Sequence, residues 1–408
     1  MEYYFFEVAH LVLRYFHVVA GIAWIGASFY FVWLDNNLQE PPQWKKDKGI
    51  RGDLWAIHGG GFYEVAKYQN GPEKMPSTLH WFKWEAYTTW ITGTLLLSLL
   101  YYVGAEAYLI DVSKAELSQP VAIASSIAFI TLGYGLYRAL CKSPLVKNGL
   151  AFTFTIILLI ALFAWGLDKV FTDRAVYIHI GALIGTCMAG NVYHIIMPSQ
   201  RYMVGEVEAG RIPDPTPGLN AKQVSVHNNY ATLPIIFIMI SNHASFTFSH
   251  EFGWLILVAL FVIGMWIRHF FNLKHQGVYK PQVLVSGIAA FFILMLAVAP
   301  WHLLETKKPQ ANSSINTTQL QSIVSNDQAW QIIDRHCTEC HSQSPRSKMF
   351  SAAPNGFVLD SLDDARKVMG LIHSRAIVTK DMPLGNLTQM SDQERAQLAQ
   401  WLAQQNKE

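Results

Sequence analysis

The sequence predicts an all-α protein: a polytopic bundle of eight transmembrane helices over residues 1–304, a linker over 305–322, and a small α-helical domain over 323–408. Of its 408 residues, 51% are hydrophobic and 15% are charged, against about 25% charged residues in ordinary soluble domains. Apolar runs recur up to Leu304, and the segment that follows is polar. These features exclude a disordered chain, a coiled coil and a highly charged nucleic-acid binder. We therefore expect membrane lipid, and no nucleic acid, around the first part.

Eight apolar runs define the predicted spans, and most are close to the about 20 residues that cross a hydrocarbon core of about 30 Å. The first run is no signal peptide, because Glu2 and Glu7 flank it in place of basic residues and it is too long. In the last domain, helical patterns occupy 327–337 and 391–403, and Ser391 with Glu394 forms a capping-box pattern. The predicted spans are 8–34, 85–104, 120–140, 150–171, 174–197, 228–249, 253–272 and 281–304.

The distribution of Lys and Arg predicts the orientation. With eight spans, both termini lie on one side, and the connecting loops fall into two sets. Most basic residues belong to the set that contains 35–84 and the connections after the third, fifth and seventh spans; the last of these contributes Arg268, Lys274 and Lys280. The positive-inside rule places that set in the cytoplasm and both termini outside it.

The motif Cys337-Thr-Glu-Cys340-His341 has the C-x-x-C-H spacing of c-type haem attachment. Two thiols one helical turn apart can add to both vinyl groups of one porphyrin, and the adjacent His341 then lies under the iron. The sixth ligand should be a sulfur from a downstream loop; Met382 is the best candidate, ahead of Met390, with Met349 and Met369 less well placed. The alternatives are a thioredoxin-like dithiol, which lacks a βαβ context here, and half of a zinc site. We predict a cytochrome c domain with covalent haem c.

Several histidines lie within the outer halves of predicted spans, where ionisable residues are costly and suggest function. His179 and His243 fall at matching depths, and His17 lies a few residues deeper, on one helix face with Arg14. Imidazoles on facing helices can hold a b-type haem, and Arg14 could neutralise a propionate. The alternative is that these histidines bond backbone carbonyls or fill gaps between helices. We predict a haem b bound by two of His17, His179 and His243.

Three segments at the predicted inner side combine aromatic and hydrogen-bonding side chains. They begin at His58 (HGGGFYE), His80 (HWFKWE) and His227 (HNNYAT). Aromatic walls with a few convergent polar groups suit a flat, polar, heteroaromatic ligand. An interfacial aromatic belt is the alternative; it explains Trp81 and Trp84 but explains the run His227-Asn228-Asn229 poorly.

Five segments carry a resemblance to a known family: HVVAGIAWIGASFYFVWLD, HGGGFYEVAKY, LHWFKWEAYTTWITG, NVYHIIMPSQ and HNNYATLPIIFIMISNH. The chain resembles the bacterial membrane-bound urate oxidases, in which an eight-helix domain is fused to a cytochrome c. The resemblance implies the bacterial cytoplasmic membrane, a periplasmic cytochrome domain, and hydroxylation of urate to 5-hydroxyisourate. It also implies that electrons pass to the respiratory chain, through an acceptor such as a cytochrome oxidase or a soluble cytochrome c. The first helix also looks like that of membrane protoporphyrinogen oxidases, whose histidine in a similar stretch binds haem, which favours His17.

Oxidation of urate requires a base within hydrogen-bond reach. The candidates are His227, His80 and Lys83, with Glu85 as an orienting partner. We expect the purine edge to meet His58, Asn228, Asn229 and Thr232. The other class of function is an electron-transfer protein, such as a quinol-oxidising subunit without a small-molecule substrate of its own.

Overall fold

The computed structural model describes residues 2–299, 324–347, 350 and 352–405 of the chain. The linker predicted at 305–322 and the methionine Met349 lie outside the described residues. The described chain is mostly helical, so the prediction of a mainly α-helical protein is confirmed.

Each of the predicted spans falls on helical structure, with ends close to the predicted ones where the structure describes them. The long helices are α1 (Glu2–Asn37), α3 (Trp84–Leu97), α5 (Gln119–Lys142), α6 (Gly149–Asp168), α7 (Asp173–Asn191), α9 (Pro215–Ile240), α11 (Gly253–His275) and α12 (Pro281–Ala297). Shorter helices are α2 (Gln43–Lys46), α4 (Ala105–Tyr108), α8 (Met197–Glu208) and α10 (Ser245–Phe248). A π turn at Ser98–Val103 extends α3, and another at Val192–Ile196 joins α7 to α8.

Five helices among the described residues are long and apolar enough to cross a membrane. They are Phe5–Asn37, Gln119–Lys142, Gly149–Asp168, Asp173–Glu208 and Gly253–His275, and a shorter apolar helix covers Pro281–Ala297. The remaining predicted spans fall on α3 with its π turn and on the second half of α9, whose first half is polar. Eight spans therefore stay a prediction.

The long first loop contains an antiparallel hairpin that the sequence analysis did not predict. Strands β1 (Ile50–His58) and β2 (Gly61–Tyr68) pair from Ile50–Tyr68 to His58–Gly61. Gly59 and Gly60 both have positive φ, at 56° and 81°, as a two-residue hairpin turn of the favoured kind requires. The glycine run that suggested close approach to a ligand is explained here by the turn.

Helix α7 lies at the centre of the N-terminal part and packs against α3, α5, α6, α9 and α11. Its buried residues include Tyr177 and Ile180, which belong to one core with Phe171 and Leu257. Gly181 lets α9 approach closely, since a Cβ there would lie 2.6 Å from Ile238 Cγ2. This close approach of α7 and α9 brings the polar residues of α9 next to those of α7.

The C-terminal residues form a separate apolar core. Helix α13 (Asn326–His336) packs on α16 (Asp392–Gln405), with α14 (Leu362–Lys367) and α15 (Met369–Ile372) between them in sequence. Trp401 is fully buried and donates from Nε1 to Asn326 Oδ1 at 2.9 Å. Both predicted helices of this domain are present, and Ser391 and Glu394 form the predicted capping box.

The C-terminal domain contacts one end of the helical bundle. The Arg375 guanidinium donates to the Ser245 hydroxyl on α10. The turn Leu384–Asn386, which follows Met382, lies on α4, and a Cβ at Gly385 would be 2.6 Å from the carbonyl oxygen of Ala107. The segment that carries the predicted sulfur ligand therefore rests directly on the bundle.

Candidate functional site

A chain of hydrogen bonds links α5, α7 and α9 around the predicted base His227. The Tyr137 hydroxyl lies 3.0 Å from His227 Nδ1. Asn191 Nδ2 donates to this hydroxyl at 2.8 Å and to Asn228 Oδ1 at 2.9 Å, and Asn228 Nδ2 donates to the Met188 carbonyl at 3.0 Å. Two adjacent predicted site residues, His227 and Asn228, are thus each hydrogen-bonded to a neighbouring helix.

A cavity of about 780 Å³ borders this network. Phe152 stacks on the His227 ring, with centroids 4.8 Å apart and 19° between the planes. The other lining residues are mainly aliphatic and aromatic side chains from α5, α6, α7, α9 and α11. This cavity offers a long apolar wall with polar groups at one part of its surface.

A second polar group joins α9 to α11. Arg268 Nε donates to Asn229 Oδ1 at 3.1 Å, and its guanidinium lies 4.0 Å from the centroid of the Phe29 ring on α1. Arg268 is 4% exposed and Asn229 is 1% exposed. Arg268 Nη2, Asn229 Nδ2 and Asn272 Oδ1 are buried without a hydrogen-bond partner among the described residues. Buried polar atoms are rarely left unpaired, so these three atoms have unused binding capacity.

A cavity of about 500 Å³ lies beside this group, between α1, α9 and α11. Its aromatic walls are Phe29, Tyr30, Trp33 and Phe271, and it also contacts Leu233, Arg268 and His275. Its lining thus combines aromatic walls with the guanidinium of Arg268 and the imidazole of His275.

The other predicted catalytic and substrate-binding residues are spread apart. His58 is exposed at the tip of the hairpin, and exposed His80 packs edge-on against Phe82. Lys83 Nζ lies 5.7 Å from the centre of the Trp84 ring, while Glu85 Oε2 is buried without a partner among the described residues. The buried Thr232 hydroxyl donates to the carbonyl of Asn229 at 2.6 Å.

The predicted haem b ligands occupy three different environments. Both ring nitrogens of fully buried His179 are engaged, Nδ1 with the Ala175 carbonyl and Nε2 with the Ser126 hydroxyl, each at 2.7 Å. Because a carbonyl only accepts, Nδ1 carries the proton and the lone pair of Nε2 is already used by Ser126. His243 is exposed in a turn after α9. His179 therefore does not fit an iron ligand in this arrangement and matches the alternative of a histidine bonded to its neighbours.

His17 is the better placed of the three. Its Nδ1 lies 3.0 Å from the Thr89 carbonyl oxygen and 3.1 Å from Thr92 Oγ1, so its ring is oriented through one nitrogen only. Arg14, predicted to neutralise a propionate, donates to His10 Nε2 at 2.6 Å on the same helix.

The C-x-x-C-H segment begins where α13 ends. The backbone N–H of His341 donates to the Cys337 carbonyl at 2.9 Å, which makes one helical turn of the motif. His341 Nδ1 bonds to the Phe357 carbonyl at 3.1 Å, so it carries the proton, and the lone pair remains on Nε2. A metal-binding histidine is commonly oriented in this way. Cys337 and Cys340 are free thiols, so the residues present fit covalent haem attachment.

The alternatives for the thiol pair fit less well. Burial raises the pKa of the Cys337 thiol to about 12 and also raises that of Cys340, whereas a redox-active dithiol needs a thiolate. Among the described residues, no group of three or more His, Cys, Asp and Glu side chains could hold a metal ion.

A comparison with protein-family models gives one decisive match: the model described as urate oxidase N-terminal covers residues 3–299. The chain belongs to this family. A search of curated proteins and one of solved structures each gave no significant match. In this urate oxidase family member, both cavities lie within the matched residues, whereas the C-x-x-C-H segment lies outside them.

Sequence reasoning did not include Arg268 among the candidate site residues of this urate oxidase family member. We counted it with the basic residues of a loop, but it is buried within α11. The available signal was its position inside the predicted span 253–272, which contains no acidic residue. A cation in an apolar helix without a nearby anion is a binding-site hypothesis.

Proposed function

We propose that this chain is a membrane urate hydroxylase. Urate and water would give 5-hydroxyisourate, two protons and two electrons, and the electrons would leave through the C-terminal domain to a respiratory acceptor such as a cytochrome oxidase or a soluble cytochrome c. The observation that carries the proposal is the family match over residues 3–299, which relates the helical part to urate oxidases. The buried, unpaired polar atoms of α9 and α11 support it, because a polar heteroaromatic substrate needs such groups.

The C-terminal domain has the groups that the proposed acceptor role needs. Cys337 and Cys340 would attach the porphyrin, His341 would bind its iron through Nε2, and Met382 would supply the sulfur. When bound, haem c would take up single electrons. The chain's own contribution is to orient His341 through Phe357 and to place the Met382 segment. Arg395 does the latter by donating to the Met382 carbonyl at 2.8 Å.

The proposed location is the bacterial cytoplasmic membrane, with both termini in the periplasm. Five sufficiently apolar helices and the distribution of basic residues support it. Arg268 lies within α11 and not in a loop, and without it the loops still differ widely in basic residues.

A quinol-oxidising electron-transfer subunit is the second candidate, and the apolar cavity at His227 favours it, since a lipid-soluble ring with a long tail would suit that lining. The purified full chain separates the two functions. In oxygen-free solution, we expect urate alone to reduce haem c, followed by its absorption spectrum, and to yield 5-hydroxyisourate. Reduction by a quinol with none by urate would overturn the hydroxylase proposal and support the second candidate.

A further inference from the structure

The guanidinium of Arg268 is buried without a counter-ion. No carboxylate among the described residues forms an ion pair with it, and the side-chain acceptor it reaches there is the neutral Asn229 Oδ1, at 3.1 Å. A buried charge is costly unless it is paired and fully hydrogen-bonded. The Phe29 face at 4.0 Å offsets part of this cost through a cation–π contact, but Nη2 still has no partner. A bound anion would remove this remaining cost.

The neighbouring unpaired atoms restrict the kind of anion. Asn229 Nδ2 adds a donor, and Asn272 Oδ1, one helical turn beyond Arg268 on α11, adds an acceptor. Chloride and sulfate have no hydrogen to donate to this acceptor. A ligand that combines a delocalised negative charge with ring N–H groups and carbonyl oxygens can use all three.

The adjacent cavity restricts its shape. Its volume of about 500 Å³ lies within the range of small-ligand sites. Phe29, Tyr30, Trp33 and Phe271 provide flat apolar surfaces, and His275 brings a titratable imidazole to the same space. These surfaces favour a planar heteroaromatic ring.

We propose that Arg268 is the anion-binding residue of the urate site, and that the purine lies in the cavity between α1, α9 and α11. This inference rests on the proposed function. Urate is a planar monoanion at neutral pH, with carbonyl oxygens for the donors Arg268 and Asn229 and ring N–H groups for Asn272. His275 is then the imidazole that lines the substrate cavity, whereas His227 lines the neighbouring one.

Equilibrium dialysis of the full-length chain against labelled urate, without an electron acceptor, tests the assignment. Arg268→Gln should weaken urate binding by about tenfold or more, because it removes a charge-assisted hydrogen bond. Arg268→Lys keeps the charge without the planar fork of the guanidinium, so its affinity for urate should lie between those of the wild type and Arg268→Gln. The matched control is Arg201→Gln, which removes the same charge from an exposed position on α8 and should leave binding unchanged.

Asn272→Asp separates binding from a structural role and decides the matter if Arg268→Gln does not fold. The isosteric carboxylate supplies the missing counter-ion, so we expect weaker urate binding together with an equal or higher melting temperature. A purely structural role for Arg268 predicts the higher melting temperature with unchanged urate binding. Unchanged binding in Arg268→Gln, or in Asn272→Asp when the former does not fold, overturns the assignment while leaving the proposed function intact. A folded wild-type chain that neither binds nor oxidises urate counts instead against the proposed function.

Discussion

Gly385 provides the sharpest test of how the C-terminal domain is held against the helical bundle. Its φ is +58°, and a Cβ at this position would lie 2.6 Å from the Ala107 carbonyl oxygen of α4. Gly385→Ala therefore combines two costs. The left-handed backbone costs roughly 1–2 kcal/mol for alanine, and relief of the overlap costs about 1–3 kcal/mol, as for an overpacked contact.

Only the second cost depends on docking, because Ala107 belongs to the other part of the chain. Gly356→Ala is the matched control: its φ is +70°, and a Cβ there would meet nothing within 4 Å. Both variants should lower the melting temperature of the C-terminal domain. Gly385→Ala alone should shift the docking equilibrium, by roughly fivefold to 150-fold for that second cost.

Hydrogen exchange followed by mass spectrometry provides the assay. In Gly385→Ala, amide exchange should rise in the peptide containing Ala105–Tyr108 and in the one containing Ser245, the hydroxyl partner of Arg375. Gly356→Ala should leave both peptides as in the wild type. Equal exchange in the two variants would refute the docking argument, whatever happens to stability.

Further outcomes can be stated for the C-terminal domain and for the substrate cavity. Met382→Ala should abolish the sulfur-to-iron charge-transfer band, while Met390→Ala should keep it and lower stability, because Met390 is 3% exposed in the core; the reverse result would reassign the ligand. Hydrogen bonds from Ser391, the backbone N–H first, lower the pKa of Glu394 from its ordinary 4.5 to about 2. This carboxylate thus stabilises the domain above pH 4.5, and the contribution is lost as the pH falls towards 2. Glu394→Gln should flatten the pH dependence of the melting temperature in that window, and an unaltered slope would contradict this account. If urate lies beside Arg268, His275→Gln should reduce urate turnover, measured across the pH–rate profile, more than His227→Gln does. A larger loss in His227→Gln would place the base in the other cavity.

The sequence predicted those features that local physics determines. Apolar length fixed the helical segments to within a few residues in most cases, and the Ser391–Glu394 capping box forms as its spacing indicated. The hairpin at Ile50–Tyr68 was missed because its strands expose large apolar side chains such as Trp55 and Phe62, so no clean polar and apolar alternation marks them.

The candidate site was less predictable because pairing between helices decides which polar residues are free. Asn228 and Asn229 are adjacent and look equivalent in the sequence. In the structure, both amide atoms of Asn228 are engaged, whereas Asn229 keeps an unpaired Nδ2 beside Arg268. His179 looked like a ligand because of its depth in the helix, yet Ser126 on α5 occupies its lone pair. A single sequence does not contain these tertiary partners.

The two proposed sites set a distance problem that leads to the last prediction. Along α11, Arg268 lies about 22 Å from Gly253, at 1.5 Å per residue, and Gly253 follows closely on the helix α10 that contacts the C-terminal domain. Tunnelling weakens steeply over such a gap, which favours an intermediate carrier, and the sequence predicted haem b for that place. Of the predicted haem b ligands, His17 is the one that lies against a neighbouring helix and is oriented through Nδ1 alone. Its Nε2 is therefore outside the hydrogen bonds that orient the ring. A pyridine haemochrome assay should therefore find non-covalent haem in the wild type, and His17→Ala should remove it without affecting covalent haem c. His179→Ala is the control and should retain it, because the His179 lone pair already accepts from Ser126. If the wild type contains covalent haem alone, no haem b relay exists, and the docking end of the bundle must be searched for a urate site closer to the C-terminal domain.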